Sequence, residues 1–156
     1  MKSNLLIVDD KPANLLALEA ILSDFYNVIP AHSGLEALDL LATKEVDVIL
    51  LDVEMPQMDG YETARRVKKM ERYQDIPIIF TSAVFMDDPY VKKGYECGAV
   101  DYFTKPFDAD LLRKKVAIYA SLAQKDLRIM ELEQRIADLE RLLSATPGVR
   151  TLKSAE

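Results

Sequence analysis

The sequence predicts an α/β protein: a doubly wound parallel sheet of five strands whose last helix is extended into a coiled coil. Three observations predict it. Five apolar runs of strand length alternate with segments of helical periodicity. Three of those runs end in charged residues, and an open parallel sheet gathers its site at the carboxyl ends of its strands. From Asp108 onward, helical periodicity continues without Gly or Pro until Pro147. Strict alternation of strand and helix implies right-handed crossovers and helices on both faces of the sheet.

The first strand is expected at Asn4 to Val8 and ends in Asp9 and Asp10. A helix follows over Pro12 to Ser23, with Leu15, Leu18, Ile21 and Leu22 on one face. Asp10 can cap it, and Pro12 stands where a missing backbone amide costs nothing. Asn27 to Ala31 reads as the second strand and Gly34 to Ala42 as the second helix, with Leu35, Leu38 and Leu41 spaced along it. Val46 to Leu51 is nearly all apolar, as a strand covered on both faces should be, and belongs near the sheet centre. A third helix is expected over Gly60 to Tyr73, a fourth strand over Pro77 to Phe80, a fourth helix over Asp88 to Cys97, and a fifth strand over Val100 to Phe103. If helical from Asp108 to Ser144, the last segment is roughly 55 Å long, too long to lie wholly on a small sheet.

With 156 residues, 49% of them hydrophobic, the chain can bury a core without disulfides. Its one cysteine, Cys97, and its one histidine, His32, offer no zinc spacing. Cys97 reads as a small buried residue and His32 as a surface loop residue. The N-terminal apolar run, Leu5 to Val8, is too short for a signal peptide or a membrane span, which leads to the expectation of a soluble cytoplasmic protein with no membrane partner. A formal net charge of −6 argues against direct nucleic-acid binding, which needs a clustered basic surface.

The strand ends carry the chemistry. Asp9, Asp10 and Asp52, together with Lys105 ahead of Pro106, would share one site. Two carboxylates about 4 Å apart repel by roughly 4 kcal/mol at an effective dielectric near 20, so such a cluster needs a cation. Oxygen-only ligands favour a hard ion, with Mg²⁺ the natural candidate. Taken singly, Asp10 could be only a helix cap and Lys105 a solvated loop charge. Asp52 resists that reading, because an acid closing an apolar central strand costs burial energy unless it is used.

Leu6-Ile7-Val8-Asp9-Asp10, Leu51 to Gly60, Thr81-Ser82-Ala83 and Asp101 to Phe107 together resemble the receiver domain of bacterial response regulators, over about residues 1 to 124. The resemblance implies a CheY-like, flavodoxin-like sheet of order 2-1-3-4-5. It also implies phosphorylation of Asp52 by a histidine kinase or a histidine phosphotransfer protein. Aspartate can serve as such a nucleophile, since phosphoryl transfer needs mainly positioning and charge neutralisation. The resemblance makes Asp9, Asp10, Asp52 and the backbone carbonyl of Glu54 the Mg²⁺ ligands, and Lys105 the counter-charge to the phosphoryl group. Ser82 becomes the hydroxyl switch and Tyr102 the aromatic switch that turns inward after Ser82 moves. The peptide before Pro106 is often cis in this family. Glu54 and Val84 occupy positions that vary in the family and affect phosphoryl lifetime. The chemistry is self-directed phosphoryl transfer and autodephosphorylation, not catalysis on an outside substrate. A hydrolase using Asp52 would want a second aspartate where Glu54 stands.

Beyond the globular part, a heptad frame with Ile129 at a places Leu122, Ile136 and Leu143 also at a, and Ile118, Lys125, Leu132 and Leu139 at d. Arg128 and Arg135 fall at g, Glu133 and Glu140 at e. Isoleucine at a with leucine at d favours two parallel strands, so a parallel homodimer is expected through Leu122, Ile129, Leu132, Ile136, Leu139 and Leu143. Lys125 interrupts the seam. Three heptads are marginal alone, so pairing should also use the surface near the fourth and fifth helices, the face this family commonly employs. The expected organisation is a receiver domain over 1–124, a coiled-coil extension over 125–145, and a flexible tail over 146–156 beginning near Pro147 and Gly148. A constitutive dimerising scaffold is the rival reading, and the chain could also be the regulatory part of a longer effector protein.

Overall fold

The structure, a computed structural model, describes residues 2–83, 88–99 and 101–145. Five strands, β1 (Asn4–Val8), β2 (Asn27–Ala31), β3 (Val48–Asp52), β4 (Ile78–Ser82) and β5 (Asp101–Thr104), pair in parallel in the order β2-β1-β3-β4-β5. This is the expected flavodoxin-like order. The connecting helices are α1 (Pro12–Leu22), α2 (Gly34–Thr43), α3 (Gly60–Lys69) and α4 (Asp88–Glu96), followed by α5 (Ala109–Ala145). All five residues of β3 are buried, as its apolar run requires of a central strand. Pro30 is confined to β2, an edge strand, where its missing amide breaks no ladder on the outer side.

Successive strand residues face opposite sides, so the sheet sorts its side chains into two cores. Leu6, Val8, Ile49, Leu51, Ile78 and Phe80 pack with Ala37 and Leu41 of α2 and Tyr61, Ala64 and Val67 of α3. Leu5, Ile7, Val48, Leu50 and Ile79 pack with Leu15, Leu18 and Leu22 of α1 and Leu112, Val116 and Ala120 of α5. Each fully buried leucine or isoleucine contributes about 1.5–3 kcal/mol relative to exposure. The ladder register pairs Val8 with Leu51, Asp52 with Thr81 and Ser82 with Thr104. Asp9, Asp52, Ser82 and Lys105 therefore arrive at one edge of the sheet.

Several boundaries differ from the periodicity, for local reasons. β3 starts at Val48 rather than Val46, because the Asp47 carboxylate is taken up by the Asn4 amide at 2.7 Å. β4 starts after Pro77, which has no amide to give, and runs on to Ser82. α3 stops at Lys69, and Glu71–Tyr73 form a separate 3₁₀ turn. There the buried Tyr73 turns its hydroxyl to donate to the Lys44 carbonyl at 2.5 Å. β5 begins at Asp101 and ends at Thr104, and Val100 lies outside the described residues. Asp108 caps α5, its Oδ1 accepting from the Leu111 amide at 3.1 Å.

Compactness divides the chain into Met1–Ala120 and Ser121–Glu156. The first unit holds the sheet and both cores. The described part of the second is the remainder of α5, in which no residue from 121 to 145 is buried. Among the described residues no helix is long and apolar enough to cross a membrane. The expected tail, 146–156, with Pro147 and Gly148, lies outside the described residues.

Candidate functional site

The four predicted charged residues do converge. Asp9, at the end of β1, is fully buried, and Asp52, the last residue of β3, is 2% exposed. Lys105 follows β5, held by its own amide donating to the Ser82 carbonyl at 2.8 Å and preceding a cis Lys105–Pro106 peptide. Its ammonium lies 2.8 Å from Asp9 Oδ2 and 3.3 Å from Asp52 Oδ1. Carboxylate oxygens of Asp9, Asp10 and Asp52 all lie within 4.8 Å of one another. Three acids thus face one cation.

That imbalance shows in the electrostatics. Burial, and then the negative charge of Asp9, push the Asp52 carboxyl up to about 6, against the opposing pull of Lys105 and a backbone hydrogen bond from Glu54. Burial alone would lower the affinity of Lys105 for its proton, yet the two aspartates outweigh it and raise its pKa. The ion pair is real but insufficient. A further positive charge would relieve both effects.

Asp10 does not cap α1, contrary to expectation. Lys11 occupies the cap position with no side-chain cap, while Pro12 takes the first turn as predicted. The helix begins one residue later than an Asp10 cap requires, which puts Asp10 outside the cap position, and the Lys11 amide donates to Asp9 Oδ1 at 2.9 Å. Asp10 Oδ1 is left buried with no hydrogen-bond partner. An orphaned buried carboxylate oxygen costs free energy unless something positive meets it. The donor set, oxygens only and anionic, is that of a hard divalent ion.

The second tier of predicted residues is distributed as follows. Ser82 is buried at the end of β4. The Glu54 peptide adjoins the Asp52 carboxylate through its amide, while its side chain is exposed. Val84 lies outside the described residues. The Tyr102 ring packs at 5.7 Å from Phe80 and edge-on at 5.6 Å from Tyr95, and burial raises the pKa of its hydroxyl. A β-carbon at Gly94 would overlap that hydroxyl, so α4 accommodates Tyr102 only because residue 94 has none. Tyr102 is therefore already seated against the core. The acceptor loop is shaped similarly: a β-carbon at Gly60 would overlap the Asp52 carbonyl oxygen and lie 2.8 Å from Val53 Cα. Asp59 caps α3 beside it, accepting from the Glu62 amide at 2.9 Å.

Three contributors were not legible in the sequence. Asn14, in the first turn of α1, donates from Nδ2 to Asp9 Oδ2 at 3.0 Å. Lys115 of α5 donates to Asp101 Oδ1 and to the Tyr102 carbonyl, both at 3.0 Å, and the Tyr119 hydroxyl donates to Asp101 Oδ2 at 3.2 Å. None has a motif. An asparagine in a first turn and a lysine on a helix both read as solvated surface.

In the second unit, the heptad residues Leu122, Ile129, Leu132, Ile136, Leu139 and Leu143 are all exposed, from 40% at Leu143 to 58% at Leu139. Arg128 reaches along its own helix to Glu131 at 3.8 Å.

Comparison with known proteins agrees with this geometry. The family described as the response regulator receiver domain matches residues 5–117. Sporulation initiation phosphotransferase F of Bacillus subtilis is 34% identical over 78% of this chain and 97% of its own length. Response regulator PleD of Caulobacter vibrioides is 38% identical over 91% of this chain but 31% of its own length. The chain spans about a third of the length of several curated relatives it matches. The solved chemotaxis protein CheY4 of Vibrio cholerae superimposes with a TM-score of 0.74 at 29% identity, covering 76% of this chain and 99% of that one.

Proposed function

The chain belongs to the response regulator receiver family, and from that premise we propose that it accepts a phosphoryl group on Asp52 from a histidine kinase or a histidine phosphotransfer protein. The observation that carries this reading is the buried cluster in which Lys105 bridges Asp9 and Asp52 while Asp10 Oδ1 has no partner. Asp52, ionised above about pH 6, uses one carboxylate oxygen to attack phosphorus. The O–P bond forms as the P–N bond breaks, and the imidazole departs with the bonding pair and takes up a proton. Lys105, 3.3 Å from Asp52 Oδ1, is placed to follow the negative charge onto the phosphoryl oxygens. Asp9, Asp10, Asp52 and the Glu54 carbonyl would hold Mg²⁺, whose contribution is to neutralise charge between the carboxylates and the phosphoryl oxygens. Ser82 donates to a phosphoryl oxygen, and Tyr102 reads its movement. Asp52→Asn tests the assignment, since an acceptor at that position must lose all covalent labelling by a small phosphodonor.

The output we assign to the distal half of α5, as a parallel homodimer. In a parallel pair each g residue meets the partner's e residue five positions on, so Arg128 faces the partner's Glu133 and Arg135 the partner's Glu140. An antiparallel pair would set arginine against arginine and glutamate against glutamate. The exposed stripe from Leu122 to Leu143 supports the pairing, because six aliphatic side chains in one seam gain by mutual burial. Lys125, at d, leaves the seam weak at its start. Light scattering with and without beryllofluoride plus Mg²⁺ tests whether pairing answers to the acceptor site. The coverage of PleD also supports a second arrangement, in which this receiver is the regulatory part of a longer effector.

A further inference from the structure

We infer that Asn14 is a positioning residue of the acceptor site: its side-chain amide fixes the orientation of Asp9 and, through Asp9, the place of the Lys105 ammonium. This rests on the reading of Asp9, Asp10, Asp52 and Lys105 given above. Asp9 is fully buried, and its carboxylate can accept at about four lone-pair positions. Protein donors fill three of them. The Lys11 amide takes Oδ1 at 2.9 Å, and Oδ2 is shared by Asn14 Nδ2 at 3.0 Å and Lys105 Nζ at 2.8 Å. Two of the three donors come from the first residues of α1, so the start of that helix sets the carboxylate plane. Only then does Lys105, arriving from the far side of the sheet order, find an oxygen at a defined point.

The asymmetry of the Lys105 contacts gives this consequence. The ammonium is closer to Asp9 than to Asp52, at 2.8 against 3.3 Å. With Asp9 immobilised by Asn14, Lys105 is held more closely by the acid that does not react than by Asp52, which it meets only through Oδ1. Without the amide, only the Lys11 donor and Lys105 orient Asp9, and nothing but the ammonium holds Oδ2. Asp9 can then turn about its side-chain torsions, and Lys105 can shift its closer contact from Asp9 to Asp52. Preorganisation of this kind is what phosphoryl transfer chiefly requires of a protein.

The test compares the wild type, Asn14→Leu, Asn14→Ala and Asp10→Ala by calorimetric titration with Mg²⁺ alone and by the rate of labelling with acetyl phosphate at saturating Mg²⁺. Leucine keeps the branched shape of asparagine and removes the donor, whereas alanine removes both, so agreement between the leucine and alanine variants excludes a packing effect. Melting of each metal-free variant verifies folding. Both Asn14 variants should bind Mg²⁺ about tenfold more weakly and label about tenfold more slowly, the scale of one hydrogen bond to a charged group. Wild-type affinity and rate in folded Asn14→Leu would overturn the role of Asn14 while leaving the acidic site intact. Equal Mg²⁺ binding by the wild type and Asp10→Ala would instead overturn the site itself.

Discussion

The carboxyl edge of the sheet and the distal half of α5 are opposite solutions to an exposed or buried surplus. At the sheet edge, three acids and one lysine are enclosed by the strands that deliver them, and what is in surplus is negative charge. In residues 121–145 nothing is buried, and what is in surplus is apolar surface. The difference teaches where each region's partner must come from. The first needs an ion and a phosphoryl group small enough to enter a preformed cluster. On the proposed reading the second is covered by another helix, because a helix cannot bury its own stripe. The acceptor site and the proposed pairing helix thus differ in the kind of incompleteness each carries.

The sharpest way to break this comparison is Asp52→Asn. Labelling by a phosphodonor should vanish, measured by mass spectrometry of the intact chain, and a retained label would move the acceptor elsewhere. Next in size is Lys105→Ala, which strands two buried carboxylates and should cost about 3–5 kcal/mol of metal-free stability in urea denaturation. Added Mg²⁺ should narrow that gap; a loss below about 1 kcal/mol would mean the cluster is better solvated than its burial implies. Truncation after Gln124 should change the mass seen by light scattering from that of a dimer to that of a monomer while leaving labelling unchanged. A mass still that of a dimer of the shortened chain would place all pairing on the globular unit.

A smaller effect follows from Asp52. Its folded pKa of about 6 lies above the ordinary value of 3.8. The metal-free fold therefore enjoys this group's full contribution below the ordinary value and loses it as pH rises through about 6. Mg²⁺ competes with the same proton. The Mg²⁺-induced rise in melting temperature should be slight near pH 5 and full near pH 7.5, where an ion at 100 times its Kd is worth about 2.7 kcal/mol. A pH-independent increment would break the link between ion and carboxylate. Smallest of all, Arg128→Ala should weaken helix pairing by no more than about 0.5 kcal/mol, as exposed ion pairs do. A larger loss would sharpen the case for the cross-helix pair with the partner's Glu133.

By itself the sequence determined the alternation of strand and helix, the five strands, the central place of β3 and the meeting of Asp9, Asp10, Asp52 and Lys105. Those features are written in periodicity and in charges set at the ends of apolar runs, which depend on neighbours in the chain. Tertiary structure alone decided how donors were shared out. Asp10 looked like a cap, but the cap position falls on Lys11, and only in three dimensions does Asp10 Oδ1 emerge as the oxygen without a partner. Asn14 gained its role because β1 ends beside the first turn of α1, and Tyr73 left the helical pattern because Lys44 offered a carbonyl within reach. The seating of Tyr102 depends on a missing β-carbon in another element, at Gly94. Local pattern reports what a segment can become, whereas hydrogen bonds and close contacts are won in competition among groups distant in sequence, and that competition is settled only when the sheet brings them together.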